Sequence, residues 1–307
     1  MNGIVFEGGG MRGIFTSGVI DWLIDQDLRF DVVYGVSAGA TNGCSFVTGQ
    51  RDRAYATATE YLKDPEFAGL QSLRKTGDYF NTDFIYRRIP EELYPIDQEG
   101  FSERGMRFLV NATNCITGEA DFFEIKDMHT DMNYVRASAS MPLLSRIVPL
   151  DGYVYLDGGI ADPLPVREAF RAGCERVVVV KTQPEGYRKK PSRAIMPLIR
   201  ARYRRYPKLI RTMAERHVRY NASLDYIDEQ VRAGKAFVIS PMGPLDIKRT
   251  ESDRNKLKKG YMEGYFVTEG IGEKLKRFLA GEIVENVREN ARTELTTKGQ
   301  KDKETKE

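Results

Sequence analysis

Short aliphatic runs alternate along the chain with segments in which apolar residues recur every three or four positions. The aliphatic runs are predicted to form strands at 3–6, 30–36, 107–112, 122–125, 153–156, 176–181 and 236–239. The segments with helical periodicity are predicted to form helices at 14–24, 38–48, 133–139, 165–172, 217–233 and 271–279. Continuous aliphatic strands joined by helices are typical of parallel sheets that are covered on both faces. The pattern therefore predicts an α/β fold with a mainly parallel central sheet.

The composition limits the class of protein. Of the 307 residues, 41% are hydrophobic and 30% are charged, and the formal net charge is +3. These values are typical of a soluble globular protein with a sizeable core. The longest purely aliphatic run, 177–180, is far shorter than the roughly 20 residues that span a bilayer. The first ten residues lack the basic start and apolar stretch of a secretory signal. We therefore expect neither a signal peptide nor a membrane-spanning segment.

The cysteine content indicates the redox environment. Cys44, Cys115 and Cys174 are odd in number and far apart in the chain. Such spacing favours neither a disulfide framework nor a zinc site. We expect a protein of a reducing compartment, the cytoplasm, that uses no metal ion and no other cofactor.

A G-x-S-x-G sequence, GVSAG at 35–39, directly follows a predicted strand and begins a helix of small residues. This context is typical of a nucleophile elbow, in which a sharp turn exposes the Ser37 hydroxyl and the flanking Gly35 and Gly39 tolerate the crowding. The helix N-terminus adds a partial positive charge where an alkoxide would develop. Because the motif is short, a tight glycine turn with a bystander serine stays open as the alternative.

A glycine-rich loop, GGGMRG at 8–13, lies between the first predicted strand and the first predicted helix. Consecutive glycines let backbone N–H groups converge on an anion. In a serine hydrolase these donors would form an oxyanion hole, and Arg12 would add positive charge. A nucleotide-binding loop is the alternative. It is disfavoured because the loop lacks a Lys-Ser/Thr pair and no acidic residue ends the second predicted strand.

A serine nucleophile needs a base, and the chain has only two histidines, His129 and His217. His129 lies in a polar, loop-like stretch and His217 within a predicted helix, so neither follows a strand as a triad histidine would. Asp157 ends a predicted strand, and the two glycines after it would permit close approach to the elbow. A carboxylate is a weak base near neutral pH, so it would have to contact the serine directly in a dry pocket that raises its pKa. From the residues alone, a histidine base and a plain turn role for Asp157 both stay open.

These motifs resemble those of the patatin-like phospholipases, a family of serine lipid acyl hydrolases with a Ser–Asp dyad. The chain carries GGGMRG at 8–13, GVSAG at 35–39 and DGG at 157–159, in the order found in that family. ASASMP at 137–142 also resembles a segment that precedes the DGG strand. The resemblance covers roughly residues 1–185 and implies a three-layer α/β/α sandwich.

The resemblance also implies a function and the residues that perform it. Ser37 would be the nucleophile and Asp157 the base. The remaining site residues would be the oxyanion-hole loop Gly8, Gly9, Gly10 and Arg12, and the elbow glycines Gly35 and Gly39. The expected reaction is metal-independent hydrolysis of a lipid ester, of phospholipase A or lysophospholipase type, through an acyl-enzyme. The alternative is a non-enzymatic lipid- or anion-binding protein that uses the glycine-rich loop.

The composition changes near residue 185. Residues 186–214 contain ten basic residues and no acidic one, with apolar residues interleaved at roughly helical spacing. This basic stretch could make peripheral contact with anionic membrane lipids, or it could be a solvated helix pair whose apolar stripe packs on the core. Nucleic-acid binding is not expected, because no recognisable module is present. We expect a catalytic core at 1–185, a helical basic portion at 186–295 that completes or caps it, and a disordered tail at 296–307.

Overall fold

An eight-stranded mixed sheet lies at the centre of the protein, which a computed structural model describes over residues 1–284. The strands are β1 (Asn2–Phe6), β2 (Val32–Gly35), β3 (Arg107–Asn114), β4 (Ala120–Ile125), β5 (Val148–Leu150), β6 (Tyr153–Asp157), β7 (Arg176–Val180) and β8 (Ala236–Ile239). The strands β3, β2, β1, β7 and β8 pair in parallel, in that order. β4 and β6 pair antiparallel with β3, and β5 pairs antiparallel with β6. The predicted mainly parallel sheet is confirmed, with antiparallel strands added at one side.

Helices connect and cover these strands. They are α1 (Ile14–Asp25), α2 (Ala38–Thr48), α3 (Arg53–Thr59), α4 (Leu70–Thr76), α5 (Gln98–Arg104), α6 (Met132–Ser138), α7 (Val166–Arg171), α8 (Met196–Arg202), α9 (Pro207–Arg232), α10 (Arg254–Gly270) and α11 (Gly272–Leu279). Short 3-10 helices occur at Gly10–Gly13, Gly158–Ile160 and Arg193–Ile195, and a π-helix occurs at Phe84–Leu93.

The sheet is covered by helices on both faces. Along β1, Ile4 and Phe6 point into one hydrophobic core, which also contains residues of α1, α2 and α11. Val5, between them, points into a second core with residues of α7 and α9. This alternation follows from the two-residue period of a strand and requires an apolar side chain at each of the three successive positions 4–6. The expected three-layer α/β/α sandwich is confirmed.

Nearly all the predicted elements occur within two residues of their predicted bounds. The helix predicted at 217–233 is an exception, because α9 begins ten residues earlier, at Pro207. The segment 49–106, for which the sequence predicts no element, folds into α3, α4, the π-helix and α5. Its elements are short and, in part, not α-helical, so they leave little regular periodicity in the sequence.

The glycine- and aromatic-rich segment 260–270 belongs to α10, which crosses α1 at very short range. A Cβ atom at Gly264 would collide with the carbonyl oxygen of Phe15, and one at Gly18 would collide with the carbonyl oxygen of Tyr261. The glycines therefore serve helix–helix contact, since any side chain at these two positions would force the helices apart.

The chain beyond residue 185 contributes directly to the central sheet, because β8 pairs in parallel with β7. The boundary at residue 185 stays a prediction. The predicted tail at 296–307 lies outside the described residues, as does 285–295. No helix within residues 1–284 combines the length and apolar character needed to cross a bilayer.

Candidate active site

Ser37 occupies the turn between β2 and α2, where the sequence predicts a nucleophile elbow. Its backbone has φ 55° and ψ −121°, a strained conformation for a residue with a side chain. Its N–H donates to Oγ of Ser138 at 2.9 Å, and the residue is only 6% exposed. The elbow is therefore held in its strained conformation by the start of α2 and by a hydrogen bond from α6.

The glycines around Ser37 are required by close backbone approach. A Cβ atom at Gly39 would collide with the carbonyl oxygen of Phe6, and one at Gly35 would lie 2.6 Å from Cα of Ala40. In the glycine-rich loop, a Cβ atom at Gly8 would lie 2.7 Å from Cβ of Ser37. Each of these positions therefore excludes every residue except glycine, and the loop and the elbow touch directly.

The sheet topology brings Asp157 to Ser37. β3 pairs with β4 along one side, and on its other side it pairs first with β2 and then with β6. Gly35 at the end of β2 is opposite Val110, and Asp157 at the end of β6 is opposite Ala112. Since β6 is antiparallel to β3, the carboxyl ends of β2 and β6 point towards each other. The two strand ends are therefore separated by one β3 residue, Asn111, and the serine and the aspartate lie close together.

The two side chains are in direct contact. Ser37 Oγ donates to Asp157 Oδ2 at 2.6 Å, and Gly159 N–H donates to Asp157 Oδ1 at 2.8 Å. Burial raises the pKa of the Asp157 carboxyl above its ordinary value of 3.8, and the nearby positive charge of Arg216 partly opposes that shift. The site thus offers a desolvated carboxylate, hydrogen-bonded to a serine hydroxyl, with a greater proton affinity than an exposed aspartate.

The glycine-rich loop lies beside this pair. Gly10 has φ 58°, which glycine adopts without strain. Within residues 1–284 the N–H groups of Gly9 and Gly10 reach no protein acceptor, whereas the next one, of Met11, donates to the Arg249 carbonyl at 3.1 Å. The buried Nε of Arg12 likewise has no partner in this part of the chain. The loop therefore presents unused donors next to Ser37.

Neither histidine contacts the Ser37–Asp157 pair. His129 is exposed in a turn, and Nδ1 of His217 lies 3.1 Å from the carbonyl oxygen of Ala214, one turn earlier in α9. Neither residue lines the two pockets that reach Ser37. Among the residues that the structure describes, no group of three or more His, Cys, Asp or Glu side chains could hold a metal ion.

Two pockets of contrasting chemistry meet at Ser37. The apolar pocket runs between α2, α3, α6 and the π-helix. Its apolar lining includes Met11, Ile14, Ala58, Phe80, Ile85 and Ile89. The cationic pocket lies on the side of Asp157. Its basic lining residues are Arg12, Lys189, Arg216 and Arg249.

Comparison with known proteins decides the family. A model described as patatin-like phospholipase matches residues 4–170, more than half of the chain. The chain belongs to the patatin-like phospholipase family. A second model, a domain of unknown function (DUF6363), matches residues 206–280.

Among curated relatives, the protein YjjU of Escherichia coli is 32% identical over 189 residues, which are 59% of this chain and 52% of YjjU. Lysophospholipase NTE1 of Saccharomyces cerevisiae is 32% identical over 195 residues, 58% of this chain and 10% of that protein. The chain thus spans about half the length of the first relative and a small part of the second. Among solved structures, VipD of Legionella pneumophila aligns with 88% of this chain and 67% of its own, at 13% identity and a TM-score of 0.41.

Several residues that support the family's motifs were not predicted from the sequence. Ser138 accepts from the Ser37 N–H, and Arg216 Nε donates to the Gly159 carbonyl at 2.6 Å. Ser138 lies within the ASASMP segment, so that motif could have pointed to it. Arg216 lies outside the motifs quoted for the family, in a helix whose register gives no sign of the site. Only the three-dimensional structure identifies it.

Proposed function

We propose that this protein is a lipid acyl hydrolase, a carboxylic ester hydrolase of phospholipase A or lysophospholipase type. The observation that carries the proposal is the 2.6 Å hydrogen bond between Ser37 Oγ and Asp157 Oδ2, located where the apolar pocket meets the cationic pocket. Membership of the patatin-like family supports it. The apolar pocket suits an acyl chain, whose transfer from water stabilises binding by about 0.8 kcal/mol per buried methylene.

In the first step, Asp157 accepts the proton of Ser37 as Oγ attacks the ester carbonyl carbon. The developing oxyanion would receive hydrogen bonds from the loop N–H groups of Gly9 and Gly10, with the positive charge of Arg12 beside them. The C–O bond to the alcohol then breaks, the leaving oxygen takes the proton from Asp157, and an acyl-Ser37 ester remains.

In the second step, water replaces the alcohol. Asp157 removes a proton from the water as it attacks the acyl-enzyme, and the same proton returns to Ser37 Oγ when the fatty acid leaves. Both steps need a base in direct contact with the nucleophile. The raised pKa of Asp157 supports this role, because a carboxylate of ordinary pKa would hold the proton too weakly.

The experiment combines activity with active-site labelling. Ser37→Ala and Asp157→Asn should each lower kcat for a lysophospholipid by ~10⁴-fold or more while the circular dichroism spectrum stays native. A fluorophosphonate probe should label the wild type at Ser37. His129→Gln and His217→Gln are the matched controls and should retain activity.

Other outcomes would overturn parts of the proposal. Full activity in folded Asp157→Asn would exclude the dyad, and loss of activity in a histidine variant would indicate a triad instead. A folded wild-type protein that is neither labelled nor active, yet binds lipid, would support the non-enzymatic alternative.

We also propose that the protein is cytoplasmic and touches anionic membranes through the basic stretch 186–214. Most apolar residues of this stretch contribute to the core, since Ile199, Tyr203, Leu209 and Met213 are buried. Ile195 and Leu198 are different: they are 44% and 57% exposed, and Ile195 lines the cationic pocket. Packing of the helices on the core thus accounts for the buried apolar residues of the stretch. The proposed membrane contact accounts for the exposed Ile195 and Leu198.

The basic residues around Ile195 and Leu198 support an anionic lipid surface as the partner. Arg193, Arg200, Arg204 and Arg205 are exposed and form no ion pair within residues 1–284. Each basic residue near an anionic leaflet contributes about 1 kcal/mol. Liposome co-sedimentation should therefore increase with phosphatidylserine content and decrease in Leu198→Ser.

Leu70→Ser is the matched control, because Leu70 is also exposed, at 68%, but lies on a different helix. Binding that is independent of anionic lipid, or equally weakened by both leucine substitutions, would contradict the membrane proposal.

A further inference from the structure

The turn that holds Asp157 is itself held by a residue from the carboxyl-terminal part of the chain. The N–H of Gly159 donates to Asp157 Oδ1 at 2.8 Å, and the carbonyl of Gly159 accepts from Arg216 Nε at 2.6 Å. Gly159 belongs to the 3-10 helix that follows β6, whereas Arg216 lies within α9. A single residue therefore connects the carboxylate to a guanidinium group from a distant helix.

Arg216 also lies close to the carboxylate itself. A Cβ atom at Gly159 would lie 3.1 Å from Asp157 Oδ1 and 3.4 Å from Arg216 Nη2, so the two side chains flank the same small space. Within residues 1–284, Arg216 forms no ion pair at 4.0 Å or less. Asp157 is only 5% exposed, so little water separates the two groups. The positive charge of Arg216 therefore acts on Asp157 without a closer carboxylate to neutralise it.

The ionisable side chains around Asp157 come from several elements. Burial raises the pKa of the Asp157 carboxyl, whereas the positive charges of Arg216 and, more weakly, of Arg249 lower it. On the side of the apolar pocket, burial raises the pKa of Tyr86 to about 12, so this residue stays neutral. The other ionisable residues that line the cationic pocket are Glu7, Arg12, Lys189 and Tyr220. Arg216 is the cation that most favours the ionised form of Asp157.

The glycine-rich loop is also in contact with the carboxyl-terminal part of the chain. The Met11 N–H donates to the Arg249 carbonyl at 3.1 Å, and a Cβ atom at Gly10 would lie 2.6 Å from that carbonyl oxygen. Arg216 and Arg249 both fall within 206–280, the segment matched by the domain of unknown function, and outside the patatin-like match at 4–170. The loop and the turn after Asp157 are thus both held by a segment that the patatin-like match does not cover.

We propose that Arg216 is a positioning residue for the acyl-transfer reaction: it fixes the Gly159 peptide that orients Asp157, and its charge keeps that carboxylate ionised. This inference rests on the proposed hydrolase function and adds a residue of the segment 206–280 to the site. Because the Gly159 N–H binds Oδ1, Oδ2 is left for the Ser37 hydroxyl. Asp157 must be ionised to accept the serine proton, yet burial favours its neutral form. Arg216 opposes that effect and so increases the fraction of reactive enzyme at a given pH.

The pH dependence of lysophospholipid hydrolysis tests this role. In Arg216→Gln the acid limb of log(kcat/KM) should move up by about one pH unit, because the nearby positive charge is lost. Its kcat should fall about tenfold, because the Gly159 carbonyl loses its charged donor. Arg216→Lys keeps the charge, so its acid limb should stay at the wild-type pH while kcat recovers only in part. A merely structural role would change stability or kcat without moving the acid limb.

Arg219→Gln is the matched control. It removes the same charge from α9, but Arg219 pairs with Glu119 at 3.4 Å and lies outside the cationic pocket. Its acid limb and its kcat should match those of the wild type. An unmoved acid limb in folded Arg216→Gln, or an equal shift in Arg219→Gln, would overturn the proposal. Arg216→Met is a second variant with the same expected shift, for use if the glutamine variant does not fold.

Lys189 is the other group that could move the pH profile, because burial lowers its pKa to about 7. The shift caused by Arg216→Gln should therefore persist when Lys189→Gln is present in both proteins. Disappearance of the shift in that background would assign it to Lys189 and contradict the proposal.

A direct titration of Asp157 separates this inference from the proposed function. In protein labelled with ¹³C at the aspartate carboxyl carbons, the Asp157 resonance is the one absent from Asp157→Asn. Its pKa should be higher in Arg216→Gln than in the wild type, by about one pH unit, even if the protein hydrolyses no lipid ester. Equal pKa values of Asp157 in the two proteins would refute the role of Arg216 whatever their activity.

Discussion

The substitution Ser138→Ala tests whether the elbow depends on the hydrogen bond from α6. Ser138 is fully buried, and its Oγ accepts from the N–H of Ser37 at 2.9 Å. Alanine removes that acceptor without adding bulk. The Ser37 N–H would then be buried without a partner, in a residue whose backbone is already strained at φ 55°.

The expected magnitude follows from these two facts. A buried donor left without an acceptor costs about 1–3 kcal/mol, and a strained non-glycine conformation stores a similar amount, about 1–3 kcal/mol. We therefore expect the free energy of unfolding to fall by about 2 kcal/mol. If the elbow relaxes by the same free energy away from its reactive geometry, kcat falls about 30-fold.

Two assays are needed to distinguish a positioning role from a general loss of stability. Chemical denaturation measures the free energy of unfolding. The rates of lysophospholipid hydrolysis and of fluorophosphonate labelling measure the reactivity of Ser37. Ser72→Ala is the matched control, because Ser72 is also buried and its Oγ donates to the Asp78 carbonyl at 2.7 Å, far from Ser37 in sequence. The control should lose stability but keep kcat and the labelling rate. Unchanged stability and kcat in Ser138→Ala would refute the reasoning.

Three further predictions concern the backbone, the base and the acyl pocket. Gly39→Ala should lower the free energy of unfolding by about 3 kcal/mol, because its Cβ meets the Phe6 carbonyl; Gly270→Ala, with open space around it, should change little in denaturant titrations. Because burial raises the pKa of Asp157, log(kcat/KM) should fall with decreasing pH through a pKa above 3.8. The folded state binds this proton more tightly than the unfolded state, so the free energy of unfolding should decrease as the pH rises and Asp157 ionises. Asp157→Asn should therefore be at least as stable as the wild type at pH 7. Ala58→Phe should raise KM for oleoyl esters but not for butyryl esters, because it narrows the apolar pocket; an equal change for both chain lengths would contradict that assignment.

The sequence is sufficient for the sheet and the elbow because their determinants are local. β1 and β7 each contain a run of buried apolar residues, 4–6 and 177–180, so period and composition identify them without tertiary information. In the elbow, Gly35 is required by Ala40 in the same turn, and the contiguous GVSAG pattern identifies the turn even though Gly39 is required by the Phe6 carbonyl of β1. The scarcity of histidine disfavours a histidine base before any contact is seen, although the residues alone leave that alternative open.

The rest of the site depends on contacts between distant segments. Most of one wall of the apolar pocket comes from 49–106, where the π-helix Phe84–Leu93 contains Pro90 and does not follow the α-helical period. The basic residues of the stretch 186–214 lie in two different environments. Lys189 points into the cationic pocket, whereas Arg204 and Arg205 face solvent. A one-dimensional charge count cannot separate these roles, because they depend on the position of each residue relative to α8 and α9.

The antiparallel direction of β6 is what makes an aspartate sufficient as the proposed base. Without an imidazole between them, the carboxylate and the serine must be in direct contact, and they are, at 2.6 Å. β2 and β6 lie end to end along one side of β3, with their carboxyl ends facing each other. If β6 ran in the opposite direction on the same line, Asp157 would lie at its far end, about 13 Å away at the rise of a strand. A proton could not pass directly over that distance, and a further residue would be needed as the base. The reversal of one strand in a mainly parallel sheet thus accounts for the direct Ser37–Asp157 contact on which the proposed mechanism depends.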